Sequence, residues 1–247
     1  MIVTRRALVL GAGLTLAGCD KLGQNAAVRS VLFRGEDAHR SLQRLVGGRD
    51  ALAPEYRASD MSPIFRANGT SDPGTEAYDA LAANRFADWR LEVGGLVARP
   101  LSLSLAQLRS IPARTQITRH DCVEGWSAIG QWHGPLLGTV LKAAGLKQAA
   151  RYIVFTCADL LGGRPYYESI DLIEAFHPQT ILAWAMNGAP LTVAHGAPVR
   201  LRAERLLGYK QAKYIMRIDA VASLTGIGGG KGGYWEDVAG YDWYAGI

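Results

Sequence analysis

The sequence predicts a single mixed α+β domain, and three observations carry that prediction. Strand-like runs are short and numerous. Helical periods are few and brief, and beyond residue 19 there is neither an internal repeat nor an apolar run of membrane length. A chain of 247 residues can bury the core of one large domain, and 49% hydrophobic with 20% charged residues is a globular composition, not a disordered or collagen-like one.

In chain order, residues 1–19 read as an export signal. Thr4-Arg5-Arg6 supplies a twin-arginine n-region, and the apolar run Ala7 to Ala17 is shorter than the roughly 20 residues a bilayer span needs. Leu16-Ala17-Gly18-Cys19 matches the bacterial lipoprotein cleavage box, in which Cys19 becomes the lipidated first residue. A plain cleaved signal with an incidental Cys is the alternative. Gly11-Ala12-Gly13 sits inside this signal without a preceding strand, so it is no dinucleotide loop. Residues 20–56 read as a tether and one helix: Asp20 to about Arg34 is polar and aperiodic, whereas Glu36 to Val46 puts Leu42, Leu45 and Val46 at helical spacing ahead of Gly47-Gly48.

The domain proper is expected over 57–247. Arg57 to Asn84 is rich in Pro, Gly, Asp, Ser and Asn and reads as a long functional loop. Trp89 to Val97 alternates and turns at Gly94-Gly95, a hairpin signal, and Ser104 caps a short helix through Leu108. Arg114 to Thr118 is a strand running into a loop around Cys122, and Leu136 to Ala144 is a helix closed by Gly145. Further strands are expected at Arg151–Thr156, at Ile181–Met186 ahead of an Asn187-Gly188 turn, and at Val199–Arg202, Tyr214–Ile218 and Val221–Leu224. In the Gly-rich tail from Gly228, Lys231 is followed by Gly232 and not by Ser or Thr, which excludes a P-loop.

Charge excludes another class. The 27 basic and 22 acidic residues give +5, and without Arg5 and Arg6 the balance is 25 against 22, or +3. With no Lys/Arg run interleaved with aromatics, nucleic acid is not the expected partner; a small anionic ligand is.

The chemistry centres on His120-Asp121-Cys122-Val123-Glu124-Gly125-Trp126-Ser127. Cys122 has no second Cys two or three positions away, so neither a zinc knuckle nor a redox dithiol fits. Cys122 and Cys157 are able in principle to form one disulfide, whereas a cofactor would need a free thiolate. His195-Gly196-Ala197-Pro198-Val199-Arg200, then Gly208-Tyr209-Lys210-Gln211-Ala212-Lys213, add cations, a His and Gly-opened backbone donors. A large anionic ligand such as a phosphorylated cofactor needs that combination.

The order Asp-Cys-Val-Glu-Gly-Trp-Ser, His-Gly-x-Pro-x-Arg, Gly-Tyr-Lys-x-x-Lys and Gly-Tyr-Trp-Glu before Gly-Tyr-Asp-Trp resembles the sulfite oxidase-like molybdopterin-dependent oxidoreductases. The resemblance covers roughly Met61 to Ile247. It is closer to the bacterial single-domain members, which include the periplasmic methionine sulfoxide reductase catalytic subunit, than to the animal and plant sulfite oxidases. It implies the sulfite oxidase-type fold, with mixed sheets of short strands and a few helices, and a Mo-molybdopterin cofactor. In that reading Cys122 is the thiolate on molybdenum, while Asn68, His195, Arg200 and the segment Gln211, Ala212, Lys213 hold the pterin and its phosphate. Thr156 or Cys157 falls at a further contact position, with Cys157 read as a buried core thiol. Arg119 and His120 are the substrate-side candidates; His133 and His177 are structural. Asp121 stands where the methionine sulfoxide reductase subunit usually has Arg, and the Cys-Ala-Gly-Asn context of sulfite oxidases is missing.

The implied activity is oxygen-atom transfer to or from a small anionic or polar S- or N-oxo substrate. Electrons would be exchanged with a separate haem- or quinone-linked partner protein. The implied site of action is the periplasmic side of the inner membrane, with a lipid anchor at Cys19. Two other readings stay open on sequence: a non-catalytic, membrane-tethered lipoprotein that keeps the fold as a binding module, and a thiol nucleophile with His120 or His195 as its base.

Overall fold

A computed structural model describes residues 25–247, so the signal and Cys19 lie outside the described residues. The chain divides into two compact units, through Gly48 and from Arg49 to Ile247. The described residues of the first unit form helix α1, Ala26–Gly47. It starts well before the expected Glu36, taking in much of the stretch read as a polar tether. Ala26 to Arg34 holds Val28, Val31 and Leu32 in phase with Leu42 and Val46, a period the intervening polar residues mask in a short window.

The second unit is built on three sheets. In chain order the helices and strands are α2 Glu76–Ala83, β1 Arg90–Gly95, β2 Leu101–Ser104, α3 Leu105–Ser110, β3 Ala113–Asp121, β4 Ser127–Pro135, α4 Leu137–Ala144, β5 Tyr152–Leu161, β6 Arg164–Asp171, α5 Leu172–Ala175, β7 Ile181–Ala183, β8 Ala185–Met186, β9 Ala189–Pro190, β10 Arg200–Arg202, β11 Ile215–Val221 and α6 Tyr234–Ala239. A five-stranded sheet runs β2-β1-β11-β5-β6, a four-stranded sheet runs β3-β4-β8-β9, and β10 pairs with β7. Many short strands with few helices is the α+β class the sequence predicts.

Alternation explains the first sheet. In β1, Leu91 and Val93 turn inward beside Trp89, and they meet Ile153 and Phe155 of β5, Ile218 of β11 and the apolar face of α4. The expected hairpin within Trp89–Val97 is instead β1 returning through β2. Gly94-Gly95 stays in the strand because β1 pairs in parallel with β11: a Cβ on Gly95 would sit 2.3 Å from the Ala220 carbonyl, and its φ is +74°. Helix α3 has the predicted cap, Ser104 and Gln107 forming a reciprocal capping box, and α4 ends at left-handed Gly145.

Other boundaries differ. The loop 57–84 contains α2, whose cap Thr75 accepts from the Tyr78 amide at 3.3 Å. Ile181–Met186 is two strands in two sheets, and Val221–Leu224 is no separate strand. β4 and β6 were not expected. β4 carries Gly130, Gly134 and Pro135, a loop-like composition, but a Cβ on Gly134 would meet the Leu182 carbonyl at 2.0 Å. That close crossing seats Trp132, Ile181, Ala183 and Met186 in a second small core.

A buried ion triad pins the C-terminal segment to this frame. Lys210, on a 3₁₀ turn at Gly208–Lys210, contacts Glu168 of β6 at 2.5 Å and Glu236 of α6 at 2.6 Å, all three essentially inaccessible. Asp237 gathers the Gly-rich loop by accepting from the amides of Gly229 at 2.6 Å and Lys231 at 3.0 Å. That loop is therefore occupied by its own carboxylate.

Candidate functional site

β3 delivers the cysteine. Gln116, Thr118 and His120 face inward and Thr115 and Arg119 outward, and the strand ends in a tight turn at Cys122. The Cys122 amide donates to the Trp126 carbonyl at 2.9 Å and the Gly125 amide to the Cys122 carbonyl at 3.0 Å, with Gly125 at φ +83°. The thiol is free and half-buried. Burial lifts its pKa; the Glu124 amide works against this and the Glu124 carboxylate adds to it. The thiol is thus protonated at neutral pH, and a metal cation is what would draw off the proton.

Cys122 opens onto a cavity of about 660 Å³, within the range of cofactor sites. Its walls come from segments distant in sequence: Asn68 to Asp72, Cys122 to Glu124, Asp159 and Tyr166 of the first sheet, Gly208, Tyr209, Gln211 and Lys213, and Trp235 and Tyr241 of the tail. Gly208 lets the 3₁₀ turn close over the end of β3, since a Cβ there would lie 2.5 Å from His120 Nε2.

The cationic side is unusual. Lys213 is buried, and its Nζ donates to the carbonyls of Thr70 and, at 3.1 Å, Ala194. Burial, then the neighbouring Arg200, lowers its pKa to about 7. Arg200 is fully inaccessible, stacked 4.9 Å over Trp132, and donates to the carbonyls of His195 at 3.1 Å and Gln211 at 3.5 Å. Burial and then Arg202 lower it to about 9. Neither cation has an ion-pair partner among the described residues, and Arg200 Nε and Asn68 Oδ1 lack hydrogen-bond partners. Two buried basic groups without an ion-pair partner among the described residues, beside an unpaired amide oxygen, fit an anionic, hydrogen-bonding ligand such as a pterin phosphate.

The sequence-predicted residues sort cleanly. Asn68, Cys122, Gln211 and Lys213 line the cavity together. Arg200 and His195 stand behind Lys213; His195 is held through Nε2 by the Phe65 carbonyl at 3.1 Å and through Nδ1 by Thr192 at 2.9 Å. Ala212 contributes backbone, its carbonyl accepting from Leu201 at 2.8 Å while its methyl sits in the core. Thr156 lies on the face of β5 opposite Cys157, Asp159 and Leu161, so it does not line the cavity. Cys157 is a buried core thiol.

Both substrate-side candidates are displaced by strand alternation. Arg119 points outward, bound to Asp121 at 2.9 Å, and is largely exposed. His120 is fully buried, its Nδ1 contacting Arg202 at 3.0 Å, and burial with Arg202 and Arg200 holds its pKa well below the usual range. Neither lines the cavity. Nor does either His bond the thiol, so the nucleophile-and-base reading has no geometric support. Lys210 also leaves the anion-binding set, being neutralised by two glutamates. Asp159, Tyr166, Thr70 and Trp235 were missed, because only sheet pairing and the tail bring them to Cys122.

Comparison with known proteins bears on the family of the chain. The model of the oxidoreductase molybdopterin binding domain matches residues 79–224. A protein of Azospira oryzae, provisionally named protein-methionine-sulfoxide reductase subunit YedZ1, is 37% identical over 98% of this chain and 86% of its own length. The protein-methionine-sulfoxide reductase catalytic subunit MsrP of Xanthomonas axonopodis pv. citri is 37% identical over 88% of this chain and 68% of its own. Among solved structures, the sulfane dehydrogenase SoxCD of Paracoccus pantotrophus superposes with a TM-score of 0.51 at 22% identity, covering 56% of this chain and 39% of that one.

Proposed function

Because the chain belongs to the oxidoreductase molybdopterin binding domain family, and so is a molybdopterin-dependent oxidoreductase carrying Mo-molybdopterin, we propose that Cys122 is its molybdenum ligand and that it reduces sulfoxides. The observation that carries this reading is one cavity lined by Cys122, Asn68, Gln211 and Lys213 with Arg200 behind it. When bound, the cofactor supplies two-electron oxygen-atom chemistry.

Everything else falls to the chain. Cys122 anchors the metal as a thiolate, which the cation itself keeps deprotonated. Lys213, recharged by a phosphate, and Arg200 hold the anionic end, while Asn68 and Gln211 orient the ring by hydrogen bonds. His195, with both ring nitrogens engaged, holds the Phe65 backbone and so the approach to Asn68. Val123 and Tyr241 remain partly exposed at the cavity, an apolar rim suited to a thioether methyl.

The reaction this site suits consumes a sulfoxide, two electrons and two protons and yields a sulfide and water. A haem- or quinone-linked partner protein at the membrane is the electron source in this reading. The twin-arginine motif and the Cys19 box support action at the periplasmic face from a lipid anchor. The test is turnover with a reduced viologen dye against free methionine sulfoxide, oxidised protein, other S- and N-oxides and sulfite. Sulfoxide reduction supports the reading. Activity with sulfite alone, or with N-oxides alone, would replace the substrate class.

A further inference from the structure

His120 lines no part of the cavity, yet it is held more firmly than packing alone requires. The buried Glu204 carboxylate accepts from Arg202 Nε at 3.0 Å, from Arg202 Nη2 at 2.6 Å and from Gln116 Nε2 at 2.7 Å. That fork sets the guanidinium 4.2 Å over the Trp132 ring and leaves its remaining arm, Nη1, 3.0 Å from His120 Nδ1. The rings of Phe65 and Trp126 flank the imidazole, their centroids 5.6 and 5.4 Å from its own.

This arrangement fixes the position of the ring hydrogen. A guanidinium only donates, so Nδ1 accepts; the ring is then neutral, with its one N–H at Nε2. Nε2 points at the Gly208–Lys210 turn, where a Cβ on Gly208 would stand 2.5 Å from it. Among the described residues Nε2 has no hydrogen-bond partner, and neither has Gln211 Oε1, on a side chain within reach of the ring. The Gln211 Nε2 is engaged with the carbonyls of Leu206 at 3.0 Å and Ala203 at 3.4 Å, which leaves Oε1 as the acceptor. A buried donor and a buried acceptor, side by side and each costly to leave open, make a pair. We infer that His120 is a positioning residue whose Nε2–H, oriented by Glu204 through Arg202, donates to Gln211 Oε1. It thereby ties the strand that delivers Cys122 to the segment Gln211–Lys213, a role that rests on the proposal that these two hold opposite ends of the cofactor. The role needs a donor at Nε2 and no change of protonation.

The test compares His120→Gln with His120→Met, side chains of similar length and shape of which only Gln offers an N–H to Gln211. Both take the Nδ1 acceptor from Arg202, so a loss common to both reports packing and the difference between them reports the donor. Molybdenum and pterin content is followed through gel filtration of the loaded, exported proteins, at a temperature where each is folded. His120→Met is expected to lose cofactor about tenfold faster than wild type, the effect of one unmade buried hydrogen bond, and His120→Gln within about threefold of wild type. A second measurement needs no variant: long-range proton–nitrogen spectra of the cofactor-free wild type, labelled in histidine, should show the His120 ring as the Nε2–H tautomer. Lys213→Met run alongside keeps the two claims apart. Retention there equal to wild type would remove the phosphate reading and this inference with it. Loss there with wild-type retention in His120→Met, equal acceleration in the Gln and Met variants, or an Nδ1–H ring would each overturn the positioning role alone.

Discussion

Replacing Lys213 by Met should stabilise the cofactor-free protein near neutral pH while abolishing cofactor retention. Burial and Arg200 hold the ammonium pKa at about 7 against its ordinary 10.5. At about 1.4 kcal/mol per pH unit, that difference sets a ceiling of about 5 kcal/mol on the cost of the buried charge. Below about pH 7 the lysine is protonated folded and unfolded, so the whole cost is present. Between about 7 and 10.5 only the unfolded chain keeps the proton, and stability therefore rises with pH across that window. Met avoids the cost but leaves the Thr70 and Ala194 carbonyls without their donor, a loss of about 1 kcal/mol each. The net gain near pH 7 is then about 2–3 kcal/mol, or roughly 4–12 °C in Tm for a chain of this size. Urea unfolding of both cofactor-free proteins across that window reads it directly. Between about pH 7 and 9 the wild-type curve should climb more steeply with pH than that of Lys213→Met, the rise above pH 9 from the similarly lowered Arg200 being common to both; parallel curves between pH 7 and 9 would refute the buried-cation argument. Loading the cofactor should flatten the wild-type curve, because a phosphate beside Lys213 raises its folded pKa again.

Two further substitutions test the frame. Lys210→Met strands Glu168 and Glu236 as buried carboxylates and should cost about 3–5 kcal/mol; adding Glu168→Gln and Glu236→Gln should restore much of it, as thermal melts would show. No recovery in the triple variant would mean that Lys210 stabilises by packing alone. Gly208→Ala drives a methyl into the buried His120 ring, for which about 1–3 kcal/mol of destabilisation is expected together with faster cofactor loss in gel filtration. Retention equal to wild type would show that this turn yields.

What could be read from the sequence follows from where each signal resides. The Cys122 loop and the Gly208–Lys213 segment carry their chemistry in consecutive residues, so the cavity residues Cys122, Gln211 and Lys213 were legible without a fold. β1, α3 and α4 likewise announce themselves by local alternation and caps. β6 does not. Glu168 and Ser169 look like solvent-facing residues, and they are buried because Lys210 and the Gly232 carbonyl, many residues onward, satisfy them. The same limit explains why Arg119, His120 and Thr156, singled out in the sequence, do not line the cavity. Strand parity decides which way each side chain points, and parity is set by pairing partners that adjacency in sequence does not reveal. Asp159 reaches the cavity by the same rule.

The most direct test of the central claim is molybdenum content and sulfoxide turnover, measured on the same samples of exported wild-type protein and Cys122→Ala. The account predicts about one molybdenum per chain with turnover in the wild type, and no turnover in a folded Cys122→Ala whatever pterin it retains. A folded, exported wild type without molybdenum, or Cys122→Ala turning over at the wild-type rate per metal, would contradict it.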